Sequence, residues 1–169
     1  MDEAAQLIET FRARSTSSVR SKLDALMDLE RLRDPRVVPF LLGVLADRRE
    51  PTPVRIHVLK RLRNGNLLPA HLPVVAVALL RVLSDRSSPD MRVHAALALA
   101  EFTEVDGVPT RLGRLALDPD EPIELRFSAF TSLQRAGPTR ECVGLLRQLL
   151  ADEALGRSAR SVLSLWRLE

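Results

Sequence analysis

An apolar residue followed by arginine, with further apolar residues four and eight positions after the first, recurs along this chain and restricts what it can fold into. Val19-Arg20 leads to Leu23 and Met27, Val54-Arg55 to Val58 and Leu62, Met91-Arg92 to Ala95 and Leu99, and Leu125-Arg126 to Ala129 and Leu133. A weaker fifth copy runs through Leu155, Ala159 and Leu163, with Gly156 where the others carry arginine. Steps of four keep these residues on one face of a helix. The copies recur at roughly 30 to 37 residues, the period of stacked helical hairpins.

The stretch Asp34 to Leu62 shows the unit most clearly. Asp34 is suited to cap a helix that opens with Pro35, whose missing N–H costs nothing there. Val38, Leu41, Leu42 and Leu45 then form an apolar stripe, and the polar run from Asp47 to Pro51 ends the helix in water. Thr52-Pro53 repeats the cap-then-proline signal for a second helix. Its stripe is Val54, Val58, Leu59 and Leu62, closed by Asn64, Gly65 and Asn66. The end of the first helix carries its own mark: Leu45-Ala46-Asp47, Leu83-Ser84-Asp85 and Leu150-Ala151-Asp152, with Leu117-Asp118 a contracted form. Pair boundaries follow at approximately 1–33, 34–66, 67–103, 104–136 and 137–169, within a single all-α repeat domain.

Charge and composition narrow the function classes. With 46% hydrophobic and 28% charged residues the chain has the balance of a globular protein rather than a disordered one. No apolar run reaches the roughly 18 residues of a membrane span. The acidic, amphipathic N-terminus lacks the basic start and apolar block of a secretory signal, and the expected location is cytoplasmic. Cys142 is the single cysteine. It is placed in the core of its helix, without a second thiol for a disulfide or a zinc site. The first helix shows the polar outer face of an end unit, with Gln6, Glu9, Arg12 and Arg14 opposite Ala4, Leu7, Ile8 and Phe11. The last helix turns Leu155, Ala159, Val162, Leu163 and Trp166 inward and leaves Leu165 and Leu168 on other faces, so this end is a candidate contact surface.

The opening Asp-Pro-Arg-x-Val-Pro-x-Leu-Leu at Asp34 to Leu42, the Leu-x-Asp close and the Val-Arg start resemble HEAT repeats, especially the short bacterial HEAT-like class, over essentially the whole chain. The resemblance implies a right-handed α–α solenoid of about five hairpins, about ten helices. It also implies that the aspartate closing each first helix pairs with the arginine opening the second: Asp47 with Arg55, Asp85 with Arg92, and Asp118 with Arg126. The inner curve of such a stack is lined by second helices.

Catalytic signatures are missing: no phosphate-cradling glycine loop, no His-Glu-x-x-His, no Gly-x-Ser-x-Gly and no metal-binding cysteine pair. No cofactor or metal is expected. The formal charge of +3 is unevenly spread, because no acid occurs between Pro51 and Ser84 while Arg55, Lys60, Arg61, Arg63 and Arg81 do. The stretch from Glu101 to Glu124 is acidic instead, with Arg111 and Arg114 outnumbered. Lys22, His57, His94, Ser128 and Ser158 share one slot of the repeat and would form a file along a surface. The expected function is a non-catalytic adaptor that takes an acidic protein partner on the second helices, through His57, Lys60, Arg61, Arg63, Arg81 and His94. Two alternatives stand beside it. One is a nucleic-acid module gripping phosphates through residues 51–84, limited to backbone contacts because no Phe or Trp lies between Phe40 and Phe102. The other is a HEAT-like enzyme similar to bilin lyases or base-excising glycosylases.

Overall fold

The computed structural model describes residues 2–13, 18–63 and 67–168. Among them every regular element is helical, with ten α-helices and three short 3-10 turns. The chain divides into two compact units, Met1–Gly65 and Asn66–Glu169. The first contains α1 (Glu3–Ala13), α2 (Val19–Glu30), α3 (Val37–Ala46) and α4 (Thr52–Arg63). The second contains α5 (Leu72–Ser84), α6 (Pro89–Ala98), α7 (Val108–Leu117), α8 (Ile123–Leu133), α9 (Arg140–Leu149) and α10 (Gly156–Leu165). The residues expected to close α4, Asn64 to Asn66, and Arg14 of the first helix lie outside the described residues.

Within each unit, consecutive helices form hairpins that pack on one another. In the first unit α1 pairs with α2, α3 with α4, and α2 lies against α4. Phe11 of α1 meets Phe40 of α3 edge-on at 5.3 Å between ring centroids, a favoured aromatic geometry. In the second unit α5 pairs with α6, α7 with α8 and α9 with α10, while α6 packs on α8 and α7 on α9. Ser132, fully buried on α8, donates to the Ala96 carbonyl of α6 at 2.6 Å and so satisfies its hydroxyl inside that contact.

The apolar stripes of the second helices are buried as their spacing predicts. Val54, Val58, Leu59 and Leu62 are all in the core, as are Met91, Ala95 and Leu99, Leu125, Ala129 and Leu133, and Leu155, Ala159 and Leu163. The first copy departs from the pattern. Met27 is 46% exposed, and Ala25, Leu26 and Leu29 are buried instead. The face of α2 is therefore set by Lys22 rather than by Arg20, which is exposed. Helix α3 also begins later than Asp34-Pro35 implies. Asp34 accepts the Arg36 backbone N–H at 2.9 Å in a tight turn, and the helix opens at Val37.

The recurring aspartates shape the loops inside the hairpins, and the recurring arginines cap helix ends. Asp47, Asp85 and Asp118 are the C-cap residues of α3, α5 and α7, each extended with ψ of 106°, 103° and 106°. Each carboxylate turns forward to the backbone N–H two residues on: Arg49 at 2.9 Å, Ser87 at 3.0 Å and Asp120 at 2.9 Å. These are aspartate turns that shape the short loop inside each hairpin. The arginines reach back to a carbonyl at the end of the preceding helix, where four carbonyls lack intrahelical partners. Arg55 Nε donates to Leu45 O at 2.9 Å, Arg92 Nε to Leu83 O at 2.7 Å, and Arg126 Nε to Ala116 O at 3.0 Å.

The acid partners come from the next hairpin. Arg92 pairs with Glu121, and Arg126 with Asp152 rather than Asp118. Lys22 pairs in the same way with Glu50, which stands three residues after Asp47 as Glu121 stands three after Asp118. These pairs are nearly dry: side-chain exposure is 9% and 6% for Arg92 and Glu121, and 5% and 8% for Lys22 and Glu50. Asp47 goes to its neighbour Arg49 at 3.1 Å.

Gly156, at the arginine position of the last copy, has a steric cause. A Cβ there would stand 2.5 Å from the Leu150 carbonyl oxygen and 3.2 Å from its carbon. Backbone occupies the space that an arginine stem fills elsewhere. Gly43 is the opposite case, a glycine inside α3 with open space around it. Gly156→Ala is expected to destabilise the protein by about 1–3 kcal/mol through overpacking, while Gly43→Ala stabilises by about 0.5–1 kcal/mol through helix propensity. Urea denaturation of the two variants checks the opposite signs.

Asp152 couples the last two hairpins to pH. Burial pushes its carboxyl up, but hydrogen bonds from the Leu155 N–H, the Arg126 guanidinium and the Ala154 N–H outweigh burial and hold it below the ordinary 3.8. A carboxyl lowered in the folded state contributes stability above its unfolded value and loses it as pH falls through the folded one. Unfolding free energy should therefore decline below about pH 4. In Asp152→Asn the decline over the acid range should be shallower, as measured by urea midpoints between pH 7 and pH 2.5; an unchanged slope would show that Asp152 does not carry this linkage.

Candidate functional site

The four α4 residues singled out for partner binding do share one helix, but they divide into two kinds. His57 Nε2 lies 2.7 Å from Glu30 Oε1, and Arg61 Nε lies 3.7 Å from Glu30 Oε2. Both are half-buried, and both face a carboxylate supplied by α2. Lys60 and Arg63 are exposed, and neither has an acidic partner among the described residues. Helix α4 contains no acid, and Lys60, Arg61 and Arg63 all fall in its last turn. Cations there also complement the negative end of the helix dipole. The α4 surface that can meet an acidic partner is thus narrowed to Lys60 and Arg63.

The other two candidates belong to the second unit. Arg81 is exposed on α5, the first helix of its hairpin, whereas His94 is half-buried on α6. They therefore project from different kinds of helix. The file expected from the shared slot also changes character. Lys22 is buried in its pair with Glu50, its ammonium 4.7 Å from the Phe11 ring centroid, and Ser128 is buried with its hydroxyl donating to Glu124 O at 2.8 Å. Neither lies on a surface.

Exposed apolar residues on α8 were not anticipated. Ile123 is 52% and Phe127 47% exposed, one helical turn apart, and the Phe127 ring tilts against buried Phe130 at 6.0 Å. The sequence signal is an apolar pair four residues apart and off the Leu125, Ala129, Leu133 stripe. An aromatic ring anchored from behind and open in front is the kind of group that concentrates binding energy in protein interfaces. At the C-terminal end, Leu165 is 79% exposed. Trp166 is half-buried at the C-cap of α10 rather than in the core. Arg167 follows at φ 60°, and Leu168 N–H returns to Leu163 O at 2.9 Å, which closes the helix without a glycine.

The remaining candidates for chemistry are quiet. Cys142 is fully buried, its thiol donating to Leu133 O at 3.4 Å. Burial, with Glu141 adding to it, pushes the thiol up to about 11, so little reactive thiolate forms near neutrality. Among the described residues no group of three or more His, Cys, Asp or Glu is placed to hold a metal ion, and no helix is long and apolar enough to cross a membrane. No family model matches the chain, and no curated protein matches it significantly.

Proposed function

We propose that the chain is a HEAT-like α-solenoid of five hairpins and that it serves as a cytoplasmic, non-catalytic adaptor whose second helices receive a protein partner. Support for the architecture is the repeated joint, in which a basic side chain at the start of a second helix caps its own hairpin and reaches an acid of the next. Support for the binding role is the surface left over once those joints are made. The observation that carries it is α4, an acid-free helix on which Lys60 and Arg63 stand exposed with no acidic partner among the described residues. A partner presenting Asp or Glu would find two cations whose charge is not already used inside the protein, flanked by the better-held His57 and Arg61. Ile123 and Phe127 on α8 offer apolar contact on another second helix. Extended, rigid faces of this kind suit recognition of macromolecules more than turnover of small substrates.

Charge reversal tests the assignment. Lys60→Glu/Arg63→Glu alters two exposed side chains and should leave the fold intact, while recovery of the specific partner by affinity capture and mass spectrometry should fall at least tenfold. Such a loss corresponds to about 1.4 kcal/mol, which two exposed ionic contacts can supply. Undiminished recovery would remove α4 from the binding surface. A salt-dependent shift of DNA or RNA that the same variant abolishes would favour the phosphate-gripping alternative.

A further inference from the structure

The second unit contains a cluster of arginines that the linear charge pattern hides. A cleft of about 280 Å³ opens where the end of α5 and its following loop meet α6 and α7, and Ser84, Arg86, Arg92, Arg111, Arg114 and Asp118 line it. Arg111 and Arg114 lie in the stretch where acids predominate, and Arg86 follows Asp85, so counting charge along the chain cancels all three. The fold gathers them at one cleft, where Asp118 is the one acid of the lining.

The arginines of the cleft differ in how far their charge is already used. Arg92 is spent: its Nε donates to Leu83 O and its terminal nitrogen pairs with Glu121. The Leu83 carbonyl at the end of α5 is thereby already satisfied. Arg86 reaches Glu121 only at 3.9 Å, with 76% of its side chain exposed. Arg111 donates to the Ser84 hydroxyl at 2.7 Å, which fixes its guanidinium without neutralising it. Arg114, one turn along α7, is exposed and has no ion pair among the described residues. Asp118 accepts the Asp120 N–H at 2.9 Å and forms the acidic rim, while Asp85 turns to the backbone and hydroxyl of Ser87 at 3.0 and 2.6 Å. Four lining arginines against Asp118 of the lining and Glu121 beside it leave a surplus of two positive charges, Asp85 standing outside the lining.

We infer that this cleft binds a phosphate-monoester dianion through Arg86, Arg111 and Arg114. The surplus matches the charge of a phosphate monoester near neutral pH. Guanidinium groups arriving from a loop and from two turns of a helix suit a tetrahedral oxyanion, whose oxygens diverge, better than a planar carboxylate met by one bidentate fork. The Ser84 hydroxyl, which donates to Leu80 O at 3.1 Å and accepts from Arg111, serves to hold Arg111 in place. The shared chemistry has two sources, a phosphorylated segment of a partner or a free phosphate compound. The site is built from α5, α6 and α7 and does not depend on the α4 surface proposed above.

Titration of the full chain at constant ionic strength, read by backbone and arginine Nε–H NMR signals, tests the site with three probes: inorganic phosphate, a short phosphoserine peptide and the same peptide with Glu for phosphoserine. Saturable shifts centred on Ser84, Arg86, Arg111 and Arg114 are expected with the first two probes, at least tenfold weaker with the Glu peptide. Tighter binding of the phosphopeptide than of inorganic phosphate assigns a phosphorylated segment, and equal or tighter binding of inorganic phosphate assigns a small molecule. Arg111→Gln/Arg114→Gln should weaken binding at least tenfold with an unchanged melting curve, and Arg114→Gln alone should weaken it several-fold without touching the Arg111–Ser84 contact. Lys60→Glu/Arg63→Glu should leave it unaltered. Non-saturating shifts, equal response to the Glu peptide, or binding insensitive to Arg114→Gln would overturn the inference.

Discussion

A basic side chain buried at the start of a second helix is the joint on which much of this structure depends. Taking Arg92 or Arg126 out of water costs several kcal/mol unless its donors are met, because an ion in a poorly polarisable interior loses its hydration. The hairpin meets part of that requirement by presenting a carbonyl from the end of its first helix, Leu83 O or Ala116 O. Its own loop aspartate turns forward into the loop, to the Ser87 or Asp120 N–H, and the rest is supplied from outside the hairpin. The charge is met by the following hairpin, through Glu121 or Asp152. One hairpin thus leaves a buried cation that only its successor completes, and this makes docking specific as well as favourable. Apolar stripes supply most of the burial energy but tolerate sliding; the ion pair at the joint favours one register.

Much of this was legible in the sequence, and the failures are physically informative. The recurrence of Asp and Arg identified the hairpins and the residues at their joints, because turn chemistry and helix-end capping need particular side chains at particular offsets. Their partners were not legible. Spacing shows that Asp118 and Arg126 belong to one hairpin, but it does not show that Asp118 Oδ1 is taken by the Asp120 N–H at 2.9 Å. The first copy was misphased because Val19-Arg20 imitates the repeat mark two residues ahead of the true joint, Lys22. A lysine does the work of an arginine there, with its ammonium beside the Phe11 ring. Gly156 was visible as a departure, and only the approach of the Leu150 carbonyl explains it.

Surface charge was less legible than the core, for a geometric reason. Linear counting treats neighbours in sequence as neighbours in space, which holds along one helix and fails between helices. Glu30 precedes the acid-free stretch, yet it is the carboxylate beside His57 and Arg61. Arg111 and Arg114 sit in an acidic segment, yet they face the end of α5, where Arg86 joins them. Phe127 gives little periodic signal, because it is an off-stripe aromatic in a helix of mixed composition. Lys60 and Arg63 are exposed on a helix with no acid of its own, as linear counting predicts.

The joint between hairpins is tested most directly by a double-mutant cycle at Arg92 and Glu121, read by urea denaturation. Glu121→Leu alone should cost about 3–5 kcal/mol because it leaves a buried guanidinium uncompensated, and Arg92→Met alone should cost a similar amount by stranding the carboxylate. The double variant should lose less than the sum of the two, with a coupling energy of about 2 kcal/mol or more. Single variants that each cost under about 1 kcal/mol and add without coupling would match an exposed, independent pair, and would contradict a joint in which the hairpin of Glu121 completes the buried charge of the one before.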